Sequence, residues 1–317
     1  MLLHLFFLSL ADFLNIDNDI KLIKDYPEEA KKAIRIREFG MEIIKVIGGR
    51  VVHPLTNEIG GFKKVPDKEQ LKKILSSSGE ILKIAEELGR FFGTITLPDF
   101  WRETEYVCLA QNGQYAIYDG DVVSSRGLHI PVKKFEENFQ ELEKQQAVVK
   151  EVEHNGQSYM VGAIARVNIN RNRLKERAHK YLDGLQWKFP NHNPFNNVLA
   201  QMTEIIHLIE ESQCLIRELL NVDLNRVITQ GYSIKAGQGV AAVEAPRGTL
   251  YYHVEADEKG YVKNANIITP TAQFLANLED DITAYIPKIM GLSDTERQRK
   301  LRGFIRAYDP CISCAVH

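Results

Sequence analysis

The chain opens on a nearly unbroken apolar run, Met1-Leu2-Leu3-His4-Leu5-Phe6-Phe7-Leu8-Ser9-Leu10, before Asp12 and Asp17 return charge to it. The run lacks a basic leader and a small-residue cleavage site, so it reads as a buried helix and not as a signal peptide. It is also shorter than the roughly 20 residues that a membrane helix needs. An apolar start of this kind is expected to be covered, by upstream sequence or by a partner chain. Residues 27–47 show helical periodicity: Asp25 and Pro27 mark the start, and Ile36, Phe39, Ile43 and Ile47 recur on one face. Gly48-Gly49 stops this helix, and a turn-rich stretch with His53-Pro54 and Gly60-Gly61 follows. Residues 67–91 form a second helix with a charged outer face.

Between Tyr106 and Tyr118 the pattern shifts to short β-prone runs broken by Asn112-Gly113 and Asp119-Gly120, both hairpin signals. Val161 to Asn170 is apolar and β-rich, with Arg166 embedded in it. Asn193-Pro194 caps a long helix that runs to about Leu220. Residues 240–268 read as a three-stranded antiparallel unit, with strands at 240–243, 250–255 and 262–268. Residues 271–286 and 294–306 read as helices. No internal repeat, low-complexity linker or break in composition divides the chain. The expected architecture is mainly α (α+β), multi-helical with small antiparallel β insertions, in a single domain spanning 1–317 and without βαβ alternation.

Composition narrows the function. Of 317 residues, 44% are hydrophobic and 26% charged, as in ordinary globular proteins, and the formal net charge is −2. That balance, with no basic stripe, argues against a nucleic-acid partner. Four cysteines are too few for a disulfide scaffold and point to a reducing compartment. Gly237-Gln238-Gly239 lacks the third glycine and preceding strand of a dinucleotide fingerprint, and neither G-x-S-x-G nor HExxH occurs.

Candidate chemistry concentrates in three places. The chain ends Asp309-Pro310-Cys311-Ile312-Ser313-Cys314-Ala315-Val316-His317, two thiols and an imidazole at three-residue intervals. Such donors suit a soft or borderline transition metal. A closed zinc site would need four ligands, and no second cluster lies near in sequence. Cys108 and Cys214 stand alone and read as core cysteines. In Ala245-Pro246-Arg247-Gly248 an arginine is stiffly presented between proline and glycine; the bland alternative pairs it with a core carboxylate such as Glu244. Ile267-Ile268-Thr269-Pro270-Thr271 is a strand ending in a proline turn, whose hydroxyls either face a ligand or simply cap a helix.

Taken together, Asp309-Pro310-Cys311-x-x-Cys314-x-x-His317 and Ala245-Pro246-Arg247-Gly248 resemble the large subunit of nickel–iron hydrogenases. His4-Leu5-Phe6-Phe7-Leu8, Ile47-Gly48-Gly49-Arg50 with His53-Pro54, Gly162 to Asn168, and Asn193-Pro194-Phe195 are similar to the cytoplasmic branch of that family. Members of that branch couple to NAD(P), coenzyme F420 or a heterodisulfide reductase. The resemblance implies heterolytic H2 chemistry at a nickel bridged to an iron with carbon monoxide and cyanide ligands. Cys311 would be a terminal nickel ligand and Cys314 a bridging one. His317 would bind a nearby magnesium, with the backbone carbonyl of Ile267 as a further ligand. Arg247 would sit over the vacant metal position with Pro246 beside it and Asp309 close by, and Thr269, Pro270 and Thr271 would pack on the cyanides. It further implies an iron–sulfur small subunit, together with a flavin, F420 or NAD(P) module, a maturation endopeptidase, a cytoplasmic location and no membrane span.

The family also carries an N-terminal R-x-C-G-x-C pair, with a magnesium carboxylate and a proton-relay glutamate in the same region. No such motif occurs in these 317 residues, and Met1 corresponds to a point after it. The chain thus reads as a C-terminal portion, a start assigned too late, or one half of a split subunit. It supplies two of four thiolates and is expected not to hold the cluster unaided. The rival expectation is a non-catalytic subunit of a redox complex, like the metal-free relatives in respiratory complex I. Retention of Cys311, Cys314 and His317 argues against that rival.

Overall fold

A computed structural model describes residues 1–2, 4–144, 147–224 and 231–316. The apolar N-terminus forms a π-helical turn, His4–Ser9, that runs into α1 (Leu10–Phe13). His4, Leu5, Phe6, Ser9 and Leu10 are buried, so the run is an inner helix. After α2 (Asp19–Asp25), α3 (Pro27–Gly48) starts on Pro27 and ends at Gly49, whose φ of 80° is the left-handed stop that glycine permits. A small hairpin of β1 (Asn57–Glu58) and β2 (Gly61–Phe62) precedes α4 (Lys68–Gly93), which Asp67 caps. Ile36 and Phe39 are buried, whereas Ile43 and Ile47 are half-buried.

The middle of the chain holds most of the small sheets. β3 (Glu105–Ala110), β4 (Asp121–Ser124) and β5 (His129–Ile130) form an antiparallel meander. α5 (Phe135–Asn138) leads into the β6 (Phe139–Leu142) and β7 (Glu151–His154) ladder. β8 (Tyr159–Met160) then pairs with β3 in parallel, a pairing absent from the sequence expectation.

The β-rich reading of 161–170 is corrected: α6 (Ala163–Asn170) is a helix, and nearly all of it is buried. Gly162, at φ 94°, turns the chain into it, and Asn197 Oδ1 accepts from Ile164 N at 3.0 Å. β-branched residues favour strands because they pack well on a pleated surface, and a wholly enclosed helix gives them equivalent packing.

α7 (Glu176–Gly184) precedes α8 (Asn197–Asn221), which enters through the turn at Pro194–Asn196. α8 packs against α4, α7 and α6. Cys214 lies on its outer half and is only half-buried, not a core residue. β9 (Gly237–Ala245), β10 (Gly248–Ala256) and β11 (Val262–Ile268) form an antiparallel sheet with β10 in the centre. α9 (Pro270–Ile289), α10 (Asp294–Tyr308) and α11 (Ile312–Ala315) close the chain. Ser293 and Glu296 form a capping box at the start of α10. Phe304 packs edge-on against Phe100 at 5.5 Å and Phe195 at 5.0 Å between centroids, which seats α10 in the core. Among the described residues, no helix is long and apolar enough to cross a membrane.

Candidate functional site

Three segments far apart in sequence meet where α10 ends. The first is the turn between β9 and β10. Ala245 pairs with Gly248, leaving Pro246 and Arg247 at the tip. Gly248 has φ 139°, and a Cβ there would stand 2.4 Å from Val161 Cγ2; one on Gly162 would stand 2.9 Å from the Arg247 carbonyl oxygen. Neither position has room for a side chain, so the tip presses directly on the start of α6.

Beneath the tip, Arg166 is fully buried. Its Nε and Nη2 donate to Glu204 at 2.5 and 2.7 Å, and its Nη1 donates to Glu244 at 2.7 Å. It also donates to the carbonyls of Ala245 at 3.0 Å and Pro246 at 3.2 Å. Burial opposes its charge, but Glu204 and Glu244 outweigh burial and push the guanidinium pKa up. Glu244 accepts further from the Thr249 hydroxyl and Leu109 N, and Glu204 from the Tyr115 hydroxyl, each at 2.7 Å. Buried charge is tolerated here because every partner is hydrogen-bonded.

With Glu244 so engaged, Arg247 turns elsewhere. Its Nε donates to the Asp309 backbone oxygen at 2.6 Å, and its Nη2 pairs with Asp309 Oδ1 at 2.7 Å. The pairing of Arg247 with Glu244 is therefore not realised. Nη1 of Arg247 is left without a partner among the described residues. Asp309 is buried at the C-terminus of α10 with φ 56° and ψ 49°, a left-handed exit that asparagine and aspartate tolerate. Gln201 Nε2 donates to its Oδ2 at 3.1 Å, and His4 Nδ1 faces its Oδ1 at 2.9 Å. The Met1 amine lies in this neighbourhood: burial lowers its pKa, and Asp309 acts against that shift.

The second segment is the β11–α9 junction. Ile267 pairs with Tyr252 across the sheet, and its side chain is exposed. Thr269 caps α9, its hydroxyl accepting from Ala272 N at 3.4 Å. Gln273 Nε2 donates to the carbonyls of Thr249 at 2.6 Å and Thr269 at 3.2 Å, tying this junction to the hairpin. The third segment is the tail. Cys311 N donates to the Thr271 hydroxyl at 3.1 Å. Cys311 is half-buried and Cys314 exposed, and their sulfurs are joined as a disulfide at 2.06 Å, so both converge on one point. His317 lies outside the described residues.

The structure thus gathers Arg247, Asp309, Thr269, Pro270, Thr271, Cys311 and Cys314 from three segments. Sequence reasoning gave no site role to His4, Gln201, Arg166, Glu204 or Thr249. Their signal was present: polar residues inside apolar helical or strand patterns must find partners when buried.

Reduced to thiolates, the Cys311 and Cys314 sulfurs would suit nickel or low-spin iron, so the tail offers two donor positions of such a centre once the disulfide is opened. It does not complete one. Cys108 is buried in β3 with its Sγ 3.5 Å from Asn170 Nδ2, and burial pushes its pKa well up, away from the thiolate that a metal requires. Among the described residues, no three His, Cys, Asp or Glu side chains are grouped to hold a metal ion.

Comparison with known proteins converges on one family. A profile for nickel-dependent hydrogenase matches residues 103–317, more than half of the chain. The alpha subunit of sulfhydrogenase 1 from Pyrococcus furiosus is 33% identical over 99% of this chain and 74% of its own length. The beta subunit of the NAD-reducing hydrogenase HoxS from Cupriavidus necator is 26% identical over 95% of this chain and 68% of its own. Among solved structures, an NAD+-reducing [NiFe]-hydrogenase in the H2-reduced state superposes with a TM-score of 0.89 at 25% identity, covering all of this chain and 76% of the other. The chain belongs to the nickel-dependent hydrogenase large-subunit family.

Proposed function

We propose that this chain is the catalytic large subunit of a nickel–iron hydrogenase, folded as one domain over 1–317, that oxidises H2 or reduces protons. Cys311 and Cys314, as thiolates, would be among the residues that hold the nickel–iron pair. Thr269, Pro270 and Thr271 would border the diatomic ligands of the iron, and the Ile267 carbonyl and His317 would hold magnesium. The remaining two thiolates come from outside these 317 residues. When bound, the nickel–iron pair supplies the Lewis acidity that heterolysis of H2 requires.

The observation that carries this reading is the clamp of Arg247 by Asp309, two residues before Cys311. One hydrogen bond and one ion pair to the same residue hold the guanidinium in place, and Nη1 has no partner among the described residues. A planar cation fixed in this way is suited to charge-assisted hydrogen bonding in a partly dry site. Once the disulfide is reduced, the Cys311 thiolate or the Arg247 guanidine would be the base that takes the proton, and Asp309 positions Arg247 while Gln201 donates to its Oδ2.

Electrons pass to an iron–sulfur small subunit, then to a flavin, F420 or NAD(P) module. A maturation endopeptidase acts on the precursor, and the assembly works in the cytoplasm. The names of the relatives support a multi-chain assembly, since "alpha" and "beta" designate parts of larger enzymes. The test is metal analysis and infrared spectroscopy of the complete large subunit, matured with its partners. Nickel, iron and carbon monoxide and cyanide stretches are expected, and a matured protein that lacks both metals sinks the reading.

A further inference from the structure

One face of α8 carries three buried polar residues, Asn197, Gln201 and Glu204, spaced four and three apart. Together they reach the segments that frame Arg247. Asn197 Nδ2 donates to the Ala307 carbonyl at 2.8 Å, and its Oδ1 accepts from Ile164 N at 3.0 Å. Glu204 holds Arg166, which in turn holds the hairpin tip by the carbonyls of Ala245 and Pro246. Both of these side chains are bonded through each of their polar atoms.

Gln201 is different. Its Nε2 donates to Asp309 Oδ2 at 3.1 Å, but its Oε1 is buried with no partner. A buried carbonyl left unpaired costs stability, whereas methionine fills a similar volume without that cost. Stability alone therefore does not account for a glutamine here. What sets it apart is the bond to Asp309.

That bond decides how Asp309 meets Arg247. A carboxylate and a guanidinium left to themselves close a fork of two parallel hydrogen bonds. Here they do not. Oδ1 lies 2.7 Å from Nη2 yet out of line for a hydrogen bond, and Oδ2 goes to Gln201. The aligned bond is the one from Nε to the Asp309 backbone oxygen, at 2.6 Å. Nη1 has no partner among the described residues, and the Arg247 side chain is partly exposed.

We propose that Gln201 is a positioning residue for the reaction: by occupying Asp309 Oδ2, it prevents the closed fork and keeps Arg247 Nη1 available to the reacting centre. The inference rests on the hydrogenase reading for its chemistry, but the competition for Oδ2 lies within this chain and is measurable without metals. Removing the amide frees Oδ2 to swing onto Arg247, which satisfies the carboxylate and consumes the free N–H arm.

Gln201→Met is the diagnostic change. In the unloaded chain, nitrogen NMR of Arg247, assigned with Arg247→Lys, should show the Nη protons exchanging about tenfold more slowly. The urea midpoint should not fall. In the matured enzyme with its partners, nickel, iron and the carbon monoxide and cyanide stretches should be retained while kcat drops about tenfold. Gln201→Leu, the same loss of a donor in a branched side chain, should behave alike. Parental turnover in both variants, or unchanged Nη exchange, overturns the proposal. So does a fall in turnover matched by a lower urea midpoint or by lost metal, since either marks a merely structural residue. A parent enzyme that lacks metals defeats the hydrogenase reading instead, and Nη exchange in the unloaded chain still decides whether Gln201 governs Asp309.

Discussion

His4 and Asp309, from opposite ends of the chain, face each other across 2.9 Å, Nδ1 to Oδ1. The other ring nitrogen lies 2.8 Å from the Arg306 carbonyl, which only accepts, so Nε2 carries the hydrogen of that bond. Asp12 reinforces the contact: Arg302 and Arg306 reach its two oxygens at 2.9 and 2.7 Å. The apolar N-terminal helix is therefore the brace that holds the left-handed exit of α10, and with it the Arg247 clamp.

His4→Leu would strip the Arg306 carbonyl and Asp309 of a shared partner inside the core. Loss of such buried bonds should cost about 2–3 kcal/mol of stability, read from urea unfolding. His4→Gln, which can still donate to the carbonyl, should lose less. Equal stability for His4→Leu and the parent would show that the N-terminal helix does not brace the tail.

Among the described residues, Arg166 is the one cation paired with both Glu204 and Glu244. Arg166→Met leaves two carboxylates buried without it, and the expected loss is about 3–5 kcal/mol. Arg166→Lys should recover only part, because a point ammonium cannot reach two carboxylates and two carbonyls together. Chemical denaturation of the three proteins orders them, and full recovery by lysine would refute the bridging role.

His207 predicts an acid-side loss of stability. It is buried on α8, its Nδ1 accepting from Lys175 N at 3.1 Å and its ring 4.7 Å from Tyr115. Burial lowers its pKa from the ordinary 6.5, against a smaller opposing effect of Glu204. Below 6.5 the unfolded chain therefore takes up a proton that the folded chain refuses. Its contribution is fully present above 6.5 and declines as pH falls toward the lowered folded value. His207→Gln should flatten this part of the stability–pH curve, and an unchanged slope would exclude His207 as its source.

In the complete, matured enzyme, Cys311→Ser or Cys314→Ser should abolish nickel retention, as metal analysis would show. Arg247→Lys should keep the metals yet lower turnover by about a hundredfold, the scale seen when one fixed donor of a reacting site is lost. Undiminished H2 uptake by Arg247→Lys would remove the guanidinium from the mechanism.

Long amphipathic helices were legible because a buried face repeats with the helical period. The stop at Gly48-Gly49, the cap at Asn193-Pro194 and the three-strand unit before Thr269 were read from local chemistry of the same kind. Val161–Asn170 was not legible, since a wholly buried segment carries no polar face to reveal its period. Its neighbours impose the helix: Asn197 accepts from its first turn, and the hairpin tip lies against Gly162.

The residue types of the site were also open to reading. Asp309-Pro310-Cys311-x-x-Cys314 and Pro246-Arg247-Gly248 led to the expectation of soft metal ligands near a stiffly held arginine, and the fold brings Arg247 onto Asp309 of the first motif. Which carboxylate that arginine would meet was not open to reading. Glu244 stands three residues away in the chain, yet Arg166 occupies it, and Arg247 goes instead to Asp309. Short-range order in a chain encodes periodicity, caps and turns, because those depend on neighbouring residues. Pairing between buried charges depends on which groups arrive together once helices pack, and only the folded chain settles that competition.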